Sequence, residues 1–265
     1  MKKRLLLIGL LLIILAGFFV YRVKIKNRWL DLHKPSLPKE VSYQDVVATQ
    51  NLGSLPENQP TNPNQQSPAY LHPKALAKEG NLAVPFTSQA PHSDWSELFK
   101  EACEEAAVLM VDWFYKNQII NPDYATEEII KMVDWQQKKW GGHFDLTVEQ
   151  TAVLIKEYLG YEKAEVITDP TVDEIKFQLA QNRPVIVPAA GRALGNPYFT
   201  QPGPIYHMLV IKGYTETQFI TNDPGTKRGQ DYLYDFETIM AAMHDWNETD
   251  INQGAKKILV IYPAP

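Results

Sequence analysis

The chain has 265 residues, 45% of them hydrophobic, with six tryptophans and one cysteine. This length supports one substantial domain with extensions, and a lone cysteine excludes both an intrachain disulfide and a zinc cluster built on paired cysteines. Beyond residue 28, 19 basic residues face 31 acidic ones, a balance of −12, which makes the body a poor nucleic-acid binder.

The N-terminus opens with Lys2, Lys3 and Arg4, and an uncharged apolar run follows from Leu5 to Tyr21. Such a run covers about 25 Å as a helix, the short end of what spans a bilayer. A signal peptide would end in small residues at a cleavage site, whereas this run ends in "GFFVY". The expectation is an uncleaved anchor over residues 1–28 with the body outside the cell; secretion after cleavage is the alternative. Arg22, Lys24, Lys26 and Arg28 flank the far side, so charge bias orients the segment weakly. These basic residues suit lipid headgroups.

Residues 29–80 read as a juxtamembrane segment and spacer. "PENQPTNPNQQSP" has no periodicity and almost no apolar residues, the composition of a disordered linker. A flexible chain of this length spans about 40 Å end to end.

The folded domain is expected over residues 81–265, beginning near the strand-like "NLAVPFTSQ". Trp95, Leu98, Phe99, Ala102, Cys103, Ala106, Leu109, Met110, Trp113 and Phe114 then recur at helical spacing. Further helices are predicted from about Thr126 to Trp140, from Thr147 to Gly160, and from Thr171 to near Asn182. The last two open with capping boxes, Thr147 with Gln150 and Thr171 with Glu174. "PVIVPAA", "IYHMLVIKGYT" and "QFITND" then read as strands, the last two joined by a "GYTET" turn. "ETIMAAMHDW" looks helical and "KKILVIYP" closes as a strand. Helices first and antiparallel strands later describe an α+β domain. There is no internal repeat, glycine-rich phosphate loop or dinucleotide fingerprint.

Cys103 is the one possible thiol nucleophile. It needs a base, because a free thiol is mostly protonated at neutral pH, and the base needs an orienting group. Among six histidines, His33 and His72 fall in the juxtamembrane stretch and spacer. His92, His143 and His244 lie in less defined surroundings. His207 opens an apolar strand, where a rigid scaffold can hold an imidazole. Asp223 ends the partner strand in "NDPG", where it can reach His207 if the register allows. A metal site from His143, His207 and Asp223 is a lesser reading, and no cofactor is expected.

"VPFTSQ", the cysteine helix, "YHMLVIKGY" and "NDPG", in that order over residues 82–262, resemble the papain-like cysteine peptidases of the bacteriocin-processing (double-glycine) type. Ala106 to Met110 match the helix continuation of that family. The resemblance implies a papain-like fold and hydrolysis of a peptide or isopeptide bond in a peptide or protein substrate. It implies Cys103 as nucleophile, His207 as proton carrier and Asp223 as its orienting group. The Gln89 amide and the Cys103 N–H would donate to the oxyanion.

Glu104 stands where the family commonly has glycine, and Glu105 follows. Their charges disfavour a thiolate, while acidic residues suit the first turn of a helix. Two alternatives follow: an inactive domain that binds peptides or cell-wall polymers in the same groove, and an acyltransferase using the same thiol. The simplest reading of the glutamates is solvated helix surface. A helix beginning at Trp95 would bury Cys103 two turns deep; one beginning near Ala102 would put it in the first turn. Trp95, Trp113, Trp135 and Trp140 read as core or groove lining, and "GRALGNPYFTQPGP" as a loop that shapes the groove.

Overall fold

A computed structural model of the protein describes Tyr21, Ile25, residues 35–45 and residues 77–263. Met1–Leu37 and Pro38–Pro265 form separate compact units, and the second is the body described below. The expected anchor, apart from Tyr21 and Ile25, and residues 29–34 and 46–76 of the expected spacer lie outside the described residues. Among those described, no helix is long and apolar enough to cross a membrane.

The body is α+β. Strand β1 (Gly80–Asn81) comes first, then helices α1 (Glu97–Lys100), α2 (Cys103–Lys116), α3 (Pro122–Trp140) and α4 (Val148–Glu157). Strand β2 (Lys163–Thr168), helix α5 (Val172–Ala180) and strands β3 (Val185–Ala190), β4 (Tyr206–Tyr214), β5 (Gln218–Asn222) and β6 (Tyr232–Asp235) follow. Helix α6 (Phe236–Ala242) and strand β7 (Lys257–Tyr262) complete the order. The strands form one sheet in the order β2-β7-β3-β4-β5-β6, with β1 on β4, and the strand pairs are antiparallel. β2 and β6 carry few core residues, which left them without a periodic signal in the sequence.

Both capping boxes close as their spacing requires: Thr147 with Gln150, and Thr171 with Glu174. α3 starts earlier than its apolar period, because the Asn121 side chain accepts from Tyr124 N–H and Pro122 follows at N1. β4 is buried along its whole length, since α2 and α5 both pack against it; this explains its unbroken apolar run. β1 approaches β4 so closely that a Cβ at Gly213 would lie 2.3 Å from the Gly80 carbonyl oxygen. Only glycine fits there.

The spacer reading does not hold for the stretch from Pro38 to Asp45. Val41 bridges Leu82, Asn81 Nδ2 donates to the Pro38 carbonyl at 3.0 Å, and Tyr43 stacks edge-on against Phe114 and Tyr115. The Lys212 ammonium, itself buried, pairs with Glu40 from this strap and with Asp231 at 2.7 Å. Pro38, Glu40, Val41 and Tyr43 thus hold to the body a strap that its polar surroundings had assigned to the spacer.

Candidate active site

The apolar stripe from Trp95 to Phe114 is not one helix. α1 ends at Lys100, Glu101 and Ala102 leave helical geometry (Ala102 φ −109°, ψ 29°), and α2 begins at Cys103. The Gln89 amide accounts for the break. Its Nε2 donates to the carbonyls of Phe99 at 2.9 Å and Lys100 at 2.7 Å. In an unbroken helix those two carbonyls would accept from the N–H groups of Cys103 and Glu104. With them taken, Cys103 becomes the first residue of a helix, where N–H groups have no intrahelical partner. Gln89 is held in place by its own N–H, which donates to the Pro224 carbonyl at 3.0 Å. The "DP" turn and the start of the Cys103 helix are therefore tied through one glutamine.

At the start of β4, His207 pairs with Ala189 across the sheet. Asp223 follows the last residue of β5, the strand that pairs with β4. This hairpin brings His207 Nε2 to 2.7 Å from Asp223 Oδ1, both side chains being buried. Asp223 Oδ1 also accepts from Gly225 N–H at 3.0 Å, and Oδ2 accepts from Asn196 Nδ2 at 3.0 Å and the Tyr234 hydroxyl at 2.6 Å. Burial opposes ionisation of Asp223, but His207, the Tyr234 hydroxyl and the Gly225 N–H outweigh it and hold the carboxyl below its ordinary range. With Nε2 committed to Asp223, Nδ1 is the ring nitrogen left for proton exchange. Phe199 packs edge-on against the imidazole at 5.3 Å.

Cys103 and His207 line one cleft of about 910 Å³, together with Gln89, Trp95, Asp145 and Trp246. Residues 198–205 form another wall, as the "GRALGNPYFTQPGP" segment suggested. Trp113 is core, while Trp135 and Trp140 stack on each other at 5.2 Å away from the cleft lining.

The glutamates after Cys103 are not solvated surface. Glu104 and Glu105 are both buried. Glu104 Oε1 accepts from Leu146 N–H at 2.7 Å, and Oε2 accepts from the Cys103 thiol at 3.0 Å. Glu105 pairs with Gln136 and lies 3.4 Å from His143 Nε2. Sequence periodicity could not show this, because the acids face inward against the 143–146 loop. The residue after Cys103 thus carries a carboxyl that turns away from the cleft lining toward Leu146. Burial raises the Cys103 thiol well above its ordinary pKa, and the charges of Glu104, Asp145 and Glu105 add to this. Burial also raises Glu104, with Glu105 and Asp145 adding. Asp145 is pushed up to about 6, by burial first and by Glu101 next.

The remaining histidines have other partners. His92 pairs with Asp123 at 2.9 Å on the surface, and His244 Nδ1 meets the Gly254 carbonyl at 2.8 Å. His33 and His72 lie outside the described residues. Among the described residues no group of three or more His, Cys, Asp or Glu could hold a metal ion, so His143, His207 and Asp223 do not assemble into one. Sequence reasoning did not find Asn196, Tyr234, Asp145, Tyr206 or Trp246. Each stands in a segment without periodicity or beside a residue that drew the attention.

The model of the Peptidase_C39-like family matches residues 81–251, which is most of the body and includes Gln89, Cys103, His207 and Asp223. The chain belongs to the Peptidase_C39-like family. Among solved structures it is similar to a protein from Bacillus anthracis described as a C39-like peptidase, with 16% identity, 69% of this chain and 96% of that chain covered, and a TM-score of 0.46. No curated protein matches it. For a C39-like chain, peptide hydrolysis is the activity the family suggests, and the antiparallel α+β body agrees with the papain-like fold of such peptidases.

Proposed function

We propose that this protein hydrolyses a peptide or isopeptide bond with Cys103 as nucleophile. The observation that carries the reading is the buried His207–Asp223 pair at 2.7 Å, on one cleft with a cysteine at the first position of a helix. In this reaction the Cys103 thiol gives its proton to His207 Nδ1, and sulfur attacks the acyl carbon. The imidazolium, steadied by Asp223, then returns the proton to the leaving amine, and water releases the acyl group by the same route in reverse. The Cys103 N–H stabilises the oxyanion, where a lost donor costs about 2.7–4 kcal/mol. Gln89 joins it only by releasing one of its two carbonyls. The substrate is a peptide or protein held in the cleft lined by Trp95, Trp246 and residues 198–205.

The test is alkylation of the full chain with limiting iodoacetamide, beside a peptide-library cleavage assay. Cys103 is expected to label in the folded protein, and His207→Ala to slow labelling and abolish cleavage. Labelling only after unfolding refutes the reading. The buried, raised thiol favours a second reading, an inactive domain that binds peptides in the same cleft; binding without cleavage or native labelling would establish it. Product with an added amine, in place of water, would identify an acyltransferase. We further propose, from the apolar run of residues 5–21 alone, that the chain is anchored in the cell membrane with the body outside; protease accessibility in intact cells tests this.

A further inference from the structure

We propose that Glu104 is a latch on the nucleophile: it accepts the Cys103 thiol proton as a hydrogen bond and so competes with His207 for it. The inference rests on the peptidase reading above and adds a positioning residue to it.

The geometry is specific. Glu104 Oε1 is fixed by Leu146 N–H at 2.7 Å, which leaves Oε2 facing Cys103 Sγ at 3.0 Å. The same Leu146 residue accepts the Tyr206 hydroxyl on its carbonyl at 2.8 Å. Glu104 follows the cysteine and Tyr206 precedes the histidine. One backbone residue therefore braces the nucleophile helix against the histidine strand, and the carboxyl that forms half of the brace also receives the thiol. Both Glu104 oxygens are engaged, Oε1 by the Leu146 N–H and Oε2 by the Cys103 thiol. Burial and the neighbouring acids resist negative charge on either group, and the 3.0 Å contact sets the thiol proton against Glu104 Oε2. Glu105 on α2, Asp145 on the loop before α4, and Tyr206 and His207 on β4 are the titratable groups around this pair; Glu101, Lys100 and Lys227 lie further along the cleft lining. Activation then consists of turning the S–H from Glu104 Oε2 to His207 Nδ1. No bond other than the hydrogen bond is broken, and the proton count is unchanged.

Glu104→Gln tests this. Its side-chain oxygen still accepts from Leu146 N–H, but the amide cannot take the thiol proton and carries no charge. In the full chain, the pH profile of Cys103 alkylation is expected to move at least one unit toward acid, about tenfold faster labelling at pH 7. Tyr206→Phe removes the other half of the brace without touching the thiol, and its profile should keep the wild-type midpoint. A folded Glu104→Gln protein with an unmoved or alkaline-shifted midpoint overturns the latch, as does an equal shift in Tyr206→Phe. If Glu104→Gln does not fold, the S–H stretch decides. With a single cysteine, a hydrogen-bonded S–H band in the wild-type protein at pH 7 that disappears on alkaline titration supports the latch, and its absence at pH 7 overturns it. Failure of the peptidase reading looks different: Cys103 then labels only on unfolding in every variant.

Discussion

Replacing Gly225 with alanine should move His207 while leaving each of its hydrogen-bonding partners in the chain. A Cβ at position 225 would lie 2.9 Å from His207 Cε1, 3.1 Å from Nε2 and 2.8 Å from Phe199 Cε1. Ordinary carbon contacts begin near 3.5 Å, so the ring must retreat by about 0.5 Å. The backbone at Gly225 is outside the left-handed region, so alanine adds no backbone strain. Overpacking costs about 1–3 kcal/mol, and the stiffer unfolded chain offsets about 0.4–1 kcal/mol. The melting temperature should therefore fall by only a few degrees, roughly 2–4 °C per kcal/mol. Catalysis is more sensitive: displacements of this order cost about 10- to 100-fold in rate. The assay is peptide cleavage by the full chain at pH 7, with thermal unfolding measured in parallel. A folded Gly225→Ala protein that cleaves at the wild-type rate would refute the claim that His207 works at this position against Asp223.

Three further outcomes are expected. Gln89→Leu removes two hydrogen bonds to backbone carbonyls, which should destabilise the fold by about 1–3 kcal/mol in urea unfolding. It should also lower cleavage, and amide exchange at Cys103 should slow as the two helices join; unchanged exchange would dissociate Gln89 from the helix break. The doubly substituted Glu40→Gln, Asp231→Asn protein leaves the buried Lys212 ammonium unpaired and should lose about 3–5 kcal/mol, whereas Lys212→Met, which removes the buried charge itself, should lose much less; chemical denaturation distinguishes them. Asp145, raised from 3.8 to about 6, binds its proton more tightly in the folded state than in the unfolded one. Its contribution to stability is full below pH 3.8 and declines until about pH 6, so Asp145→Asn should flatten the stability profile across that window in pH-dependent thermal melts.

Much of the scaffold was legible because local chemistry agrees with it. The two capping boxes mark α4 and α5 by side chains three residues apart, a spacing that needs no tertiary partner. β4 announced itself by an unbroken apolar run, and His207 at its start could be singled out for that reason. Asp223 was legible because a strand that ends in "NDPG" has to turn there. Other features depended on distant contacts. Asn196 and Tyr234 hold Asp223 from segments 27 and 11 residues away, and neither carries a periodic signal. The strap from Pro38 to Asp45 sits in polar sequence, and its anchor on Lys212 spans 172 residues.

The sequence by itself determined the residue types: one thiol, a histidine opening an apolar strand, an acid ending the next, and a glutamine before them all. Their order and the α+β pattern follow from period and turn chemistry along the chain. Only the tertiary structure decided what the cysteine's stretch is. An apolar stripe at helical spacing continues from Trp95 to Phe114 whether or not the backbone hydrogen bonds do. Gln89, fourteen residues before Cys103 in the chain, takes the carbonyls that would have continued the helix. The same folding turned Glu104 from expected surface into a buried partner of the thiol, because its hydrogen-bond donor, the Leu146 N–H, is 42 residues away.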